Sequence, residues 1–154
     1  MGWIALWAIV FAITSAAQGI GDKHPGQFVP FWQRACSEDR SHACAYLAVL
    51  QANFCRQGSG WACNELGILE AERQSDRTAA MASFERACGL GFTPACRNMN
   101  RITTGNPTAE TASPALQDYP IILRGSKAPI GNLPPPALYA LACSQGWPDT
   151  CGGD

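Results

Sequence analysis

Cysteine is the residue whose number and spacing set the chemistry open to this chain. Its 154 residues include eight, arranged as Cys36 and Cys44, Cys55 and Cys63, Cys88 and Cys96, and Cys143 and Cys151, each pair enclosing seven residues. Zinc knuckles enclose about two to four residues between paired thiolates, so this interval fits none of the common ones. Thiol–disulfide catalysts use C-x-x-C at the start of a helix, and the chain has no such motif. Structural disulfides are the expected chemistry, ahead of metal ligation and of free buried thiols.

Other catalytic sets are thinner. Neither lysine, Lys23 or Lys127, has a serine three residues before it, and K-T-G is absent, so no serine nucleophile box exists. The histidines, His24 and His42, are isolated and too few for a zinc hydrolase site. Glu65, Glu70, Glu72 and Glu85 fall on expected helices near Arg73 and Arg86 and read as solvated faces, not as a carboxylate pair. No catalytic residue, metal or cofactor is expected.

The elements that hold the cysteines repeat with them. Arg34-Ala35-Cys36, Arg86-Ala87-Cys88 and Leu141-Ala142-Cys143 lead to Ala43-Cys44, Ala95-Cys96 and Thr150-Cys151, an internal repeat. Gly58, Gly91 and Gly146 stand three residues after the first cysteine, where a helix ends in the left-handed conformation; Asp39 takes that place in the first unit. Ser41, Ser59, Thr93 with Pro94, and Pro148 with Asp149 suit an N-cap or a first helical turn. Each unit therefore reads helix, tight turn, helix. A disulfide then joins the last turn of one helix to the first turn of its antiparallel neighbour, stabilising the fold by roughly 2 to 3 kcal/mol per bridge on the chain-entropy model.

Apolar periodicity predicts helices over 28–38, 41–57, 61–73, 76–88, 93–101 and 137–145, with Asp76 as a cap and Gly67 small enough for a neighbouring helix to approach. In the second, Ala43, Tyr46, Leu47, Leu50 and Phe54 recur at three- and four-residue intervals. Residues 103–134 carry Pro107, Pro114, Pro120, Pro129 and Pro134 and cannot sustain a helix; within them, 119–123 is either extended against the helices or a loose loop. The fold class is all-α: antiparallel helix pairs in an α/α solenoid, stapled by disulfides and carrying a long Pro-rich loop. Its parts are 1–17, a signal peptide or membrane anchor; 18–102, the helical repeats; 103–134, the linker; and 135–154, a partial, stapled repeat.

Residues 3–17 form an uncharged apolar run ending in Ser15-Ala16-Ala17, which suits cleavage before Gln18. No Lys or Arg precedes the run, and it falls short of the ~20 residues of a spanning helix. A retained anchor and the truncated start of a longer protein therefore stay open beside the signal peptide. The signal-peptide and anchor readings place the repeats on the oxidising side of a membrane, either exported (periplasmic or secreted) or anchored there. Eleven basic against twelve acidic residues, without a run of either sign, argue against a nucleic-acid partner; membrane contact is expected only through the N-terminal run.

Over 61–98, Ala62-Cys63-Asn64-Glu65-Leu66-Gly67, Asp76, Ala79, Ala80, Phe84-Glu85-Arg86-Ala87-Cys88-Gly89-Leu90-Gly91 and Pro94-Ala95-Cys96 resemble a Sel-1-like repeat. The resemblance covers roughly residues 30–100 and 137–151. It implies helix pairs related to tetratricopeptide repeats, a bridge in each repeat as in a secreted cysteine-rich subgroup, and a concave face that binds a peptide or partner protein. The first cysteines of the first two units lie nineteen residues apart and those of the last two fifty-five, a departure from a regular superhelix. A non-catalytic protein–protein interaction scaffold is thus the expected function. The subgroup's association with penicillins makes β-lactam binding or weak β-lactamase-like hydrolysis one alternative; an anchored accessory subunit or assembly factor of a membrane complex is another. Trp32, Tyr46, Phe54, Trp61 and Trp147 are the candidate partner-binding aromatics, with core packing as the plainer account of them.

Intact mass measured with and without reduction tests the cysteine chemistry. The native chain should be lighter than the reduced one by eight hydrogens, and peptide mapping should join each cysteine to the one eight positions on. A bound metal or any free thiol would contradict it.

Overall fold

The computed structural model describes residues 29–40, 42–106, 109–123, 134–147 and 150–152. The apolar run, Lys23, His24, Ser41, Lys127, Pro148 and Asp149 lie outside them. Seven α-helices follow one another in the described residues, which contain no strand: α1 Val29–Ser37, α2 Ala43–Arg56, α3 Gly60–Glu72, α4 Arg77–Gly89, α5 Thr93–Thr103, α6 Tyr119–Ile122 and α7 Pro135–Ser144. From α1 to α5 each helix packs on its neighbour in the chain, most extensively α3 on α4. No described helix is long and apolar enough to cross a membrane.

Four corners share one construction. The bridges are Cys36–Cys44, Cys55–Cys63, Cys88–Cys96 and Cys143–Cys151, with Cα atoms 4.6 to 4.9 Å apart. In every corner the first cysteine's carbonyl accepts from the backbone N–H three residues on, at Asp39, Gly58, Gly91 and Gly146. The preceding carbonyl accepts from the residue after that, at Arg40, Ser59, Phe92 and Trp147. This double closure satisfies carbonyls that a helix end leaves unpaired, and it requires positive φ at the intervening residue. Gly58, Gly91 and Gly146 adopt φ of 100°, 85° and 90°, and Asp39 accepts 52° in the glycine-free corner.

The helix starts divide. Ser59 and Asp76 cap α3 and α4, their side chains accepting from the N–H of Ala62 and Ala79. Helix α2 starts without a side-chain cap, behind His42 at φ 63°. Helix α7 begins at Pro135, earlier than periodicity indicated, because Pro135 and Pro136 occupy a first turn that has no use for their missing N–H groups.

Residues 119–123, expected to be extended or loose, form the helical turn α6 instead. The Asp118 carbonyl accepts from Ile121 and Ile122, and the turn buries Tyr119, Ile122 and Leu123. Proline at a first turn is compatible with a helix, so Pro120 does not break this one.

The core runs along the α2–α5 stack and is centred on Phe54, Trp61 and Phe84, none more than 1% exposed. Two glycines let α3 sit close to its neighbours. A Cβ on Gly67 would lie 2.8 Å from the ring of Phe84, and one on Gly60 would lie 2.8 Å from the Cβ of Phe92. Gly67→Ala should therefore lower the urea unfolding free energy by about 1–2 kcal/mol, because the clash with a fully buried ring outweighs the ~1 kcal/mol gain in helix propensity. Gly89→Ala, which meets open space, is the control and should be neutral or stabilising; equal effects of the two would rule the close-packing account out.

Candidate functional site

The polar side chains that converge in this fold do so on a segment of backbone. Residues 109–118 run without regular structure across α3 and α5, and residues of both helices hold them. Asn98 of α5 grips Glu110 by both main-chain groups: its amide donates to the Glu110 carbonyl at 2.9 Å and its oxygen accepts the Glu110 N–H at 2.6 Å. The same Asn98 amide donates to Asn64 Oδ1 of α3 at 2.9 Å, which fixes its orientation. The Glu110 side chain meets Arg97 in a two-pronged pair at 2.9 and 2.6 Å, with Arg101 at 3.6 Å. The Arg97 hydrogen bonds hold the Glu110 carboxyl below the usual range.

Two residues further on the pattern recurs. Trp61 Nε1 donates to the Ala112 carbonyl at 2.8 Å, and the Ala112 backbone hydrogen-bonds the Glu65 carboxylate. Between and beyond these held positions, Thr111 and Ser113 are exposed. From Glu110 to Pro114 exposure thus alternates as in an extended chain.

Asp118 closes the far end. It is 1% exposed, yet its carboxylate accepts from Ser59 Oγ at 2.7 Å, from the Trp61 N–H at 3.2 Å and from the Ala115 N–H at 2.8 Å. Ser59 is at once the cap of α3, so the carboxylate and its partners sit at the positive end of that helix. Three donors and a helix terminus offset the cost of burying the charge.

Beside the segment lies a cleft of about 490 Å³ bounded by α1 (Pro30, Arg34), by Trp61 and Glu65 of α3, and by Trp147 of the fourth corner, with 111–114 as its floor. The ring of Trp147 packs edge-on against Trp61 at 5.3 Å and against Tyr119 at 6.1 Å, and Tyr119 meets Tyr139 of α7 at 5.7 Å. This aromatic cluster brings the distant fourth unit back to the start of α3. Glu65, expected on a solvated face, is half-buried here. Desolvation pushes its pKa up to about 7, against the lowering effect of the Asn64 and Ala112 hydrogen bonds. Glu70, also read as solvated, accepts from Ser83 Oγ at 2.7 Å across the α3–α4 contact, and its carboxyl is likewise raised by desolvation.

The candidate aromatics separate into three places. Phe54 lies in the core, 1% exposed, and offers no surface, because it shares the inward stripe of α2 with Leu47. Trp61 and Trp147 wall the cleft but are themselves buried, so they shape the site more than they present a face. Trp32 meets Phe31 edge-on at 4.9 Å and Tyr46 at 5.0 Å; Phe31, Tyr46 and Val49, the last 68% exposed, give α1 and α2 an apolar patch.

The residues that grip the segment, Asn64, Asn98 and Arg97, and Asp118 that closes its far end, were not singled out by spacing. Two carried a readable signal, since Asn98 falls in the stripe Ala95, Asn98, Ile102 and Asn64 in Trp61, Asn64, Ile68, polar amides at core positions. Comparison of the chain with protein-family models, curated proteins and solved structures finds no match.

Glu65 gives the site a pH signature. Its folded pKa is raised, so the stability it contributes is full below the unfolded value near 4.5, declines as pH rises toward about 7 and is lost above. Glu65→Gln should remove that decline: relative to the parent, the variant should gain roughly 1–3 kcal/mol between pH 4.5 and 8 in urea unfolding with the bridges intact. An unchanged difference across that range would place Glu65 in ordinary solvent.

Proposed function

We propose that the protein is a non-catalytic interaction scaffold of an exported, oxidising compartment, built from Sel-1-like helix pairs, whose α3–α5 face binds an extended segment of a partner protein. One observation carries the reading: Asn98 holds the N–H and the carbonyl of a single residue at once. A side chain that satisfies both main-chain groups recognises extended backbone as such, and a face built from helices presents it without supplying a strand of its own. Four disulfides support the compartment, since they persist where thiols are not kept reduced. The repeated corner and the Ala62-to-Cys96 motif support the repeat assignment.

An array of extended decapeptides, probed with the oxidised full chain, tests the reading. A defined subset should bind, binding should vanish on reduction, and Asn64→Ala with Asn98→Ala should weaken it about tenfold or more, the worth of one lost pair of backbone hydrogen bonds. Turnover of a chromogenic cephalosporin by the chain, or no peptide retained above the reduced control, would defeat it.

A further inference from the structure

The segment that reveals the site also fills it. We infer that residues 109–114 occupy the peptide site in cis as a stand-in for the partner, and that the partner is an extended acidic segment bearing a carboxylate at one position and a small residue two positions on. The inference rests on the scaffold reading and adds the occupant and its chemistry. The register comes from the contacts. At the first position Asn98 takes both backbone groups while Arg97 and Arg101 take the Glu110 carboxylate. At the second, Trp61 takes the Ala112 carbonyl, and the small Ala112 side chain is partly buried against the core. Thr111, between them, is exposed and contributes no side-chain requirement.

Residues 109–114 and the chain at 118–123 are held by different forces. Residues 118–123 are anchored by a buried carboxylate and by Tyr119, Ile122 and Leu123, all at most 2% exposed. Residues 109–114 are held chiefly by hydrogen bonds and an ion pair, none of these residues is fully buried, and Thr111 and Ser113 face outward. Freeing 109–114 leaves 118–123 and its buried anchors in place, so local release is less costly than unfolding. A partner that supplies the same groups replaces each lost contact with its equivalent. The tethered segment competes at an effective concentration of about a millimolar, so a partner must bind well below that level to win the site.

The test uses the full oxidised chain and a labelled synthetic peptide, Ala-Glu-Thr-Ala-Ser-Pro-Ala-Leu, read by fluorescence anisotropy. In one variant, residues 109–114 are replaced by Gly-Ser repeats. The emptied chain should bind the peptide about tenfold or more tighter than the parent does; changing the peptide's Glu to Gln should weaken binding about fivefold or more, and placing Trp at its fourth position should abolish it. Should the emptied chain fail to form its four bridges, Glu110→Lys, which turns a cation toward Arg97 and Arg101, serves instead and should also bind the peptide more tightly than the parent. Equal affinity for parent and released chain, or indifference to the Glu, overturns the inference. Array peptides that bind the parent and are unaffected by emptying would leave the scaffold reading standing while this one falls; no binding by any form removes both. A concentration-dependent dimer of the parent that Glu110→Lys dissolves would make a second copy's segment the occupant and overturn the partner claim.

Discussion

A covalent bond between the last turn of one helix and the first turn of the next sets the geometry on which this molecule depends. Each bridge closes only eight positions of chain, and the corner it closes is also held by two backbone hydrogen bonds and a left-handed residue. Because both partners sit at helix ends, the bridge constrains the direction in which the second helix leaves. Helices α1 to α5 inherit their antiparallel stacking from these corners, except between α3 and α4, where no cysteine helps. There the close contacts at Gly60 and Gly67 and the Asp76 cap do the equivalent work by packing and capping.

A stapled stack of helices leaves side chains but no free backbone on its faces, and that determines how it meets an irregular segment. Every peptide group of residues 109–118 that approaches the helices needs a partner, and a helical face supplies only side chains. Asn64, Asn98, Trp61 and Glu65 fill that role, and the arrangement is reciprocal: Asp118, from the segment, accepts from the Trp61 N–H at the start of the helix that carries three of them. The same docking gives the fourth unit its place, since Trp147 and Tyr139 reach the repeats through Trp61 and Tyr119.

The electrostatics of the face follow from which of its charges are covered. Glu110 lies at the rim with two guanidinium groups beside it, and its carboxyl is held low. Glu65 lies under the segment, where desolvation outweighs its hydrogen bonds and its carboxyl is held high. The carboxyl of Glu110, in the segment, and that of Glu65, on α3, are therefore shifted in opposite senses.

Reading residues in order was enough for whatever is built within about a dozen positions. The cysteine interval, the left-handed residue three positions on and the Ser59 and Asp76 caps each depend on near neighbours and are found where spacing put them; helix boundaries are displaced by a few residues, and Tyr46, on the apolar stripe of α2 by spacing, is exposed. Glu65 was misplaced because periodicity states which face a residue occupies and not what covers that face. The helical turn at Tyr119–Ile122 was missed because its prolines argue against a helix locally, whereas the burial that stabilises it comes from residues far along the chain. The site itself joins Ser59 to Asp118, Trp61 to Ala112 and Asn64 to Glu110, contacts spanning 59, 51 and 46 positions. Such pairings leave no period in the sequence; they arise when a folded face and a passing segment must satisfy each other's polar groups, and that match exists only after the helices have stacked.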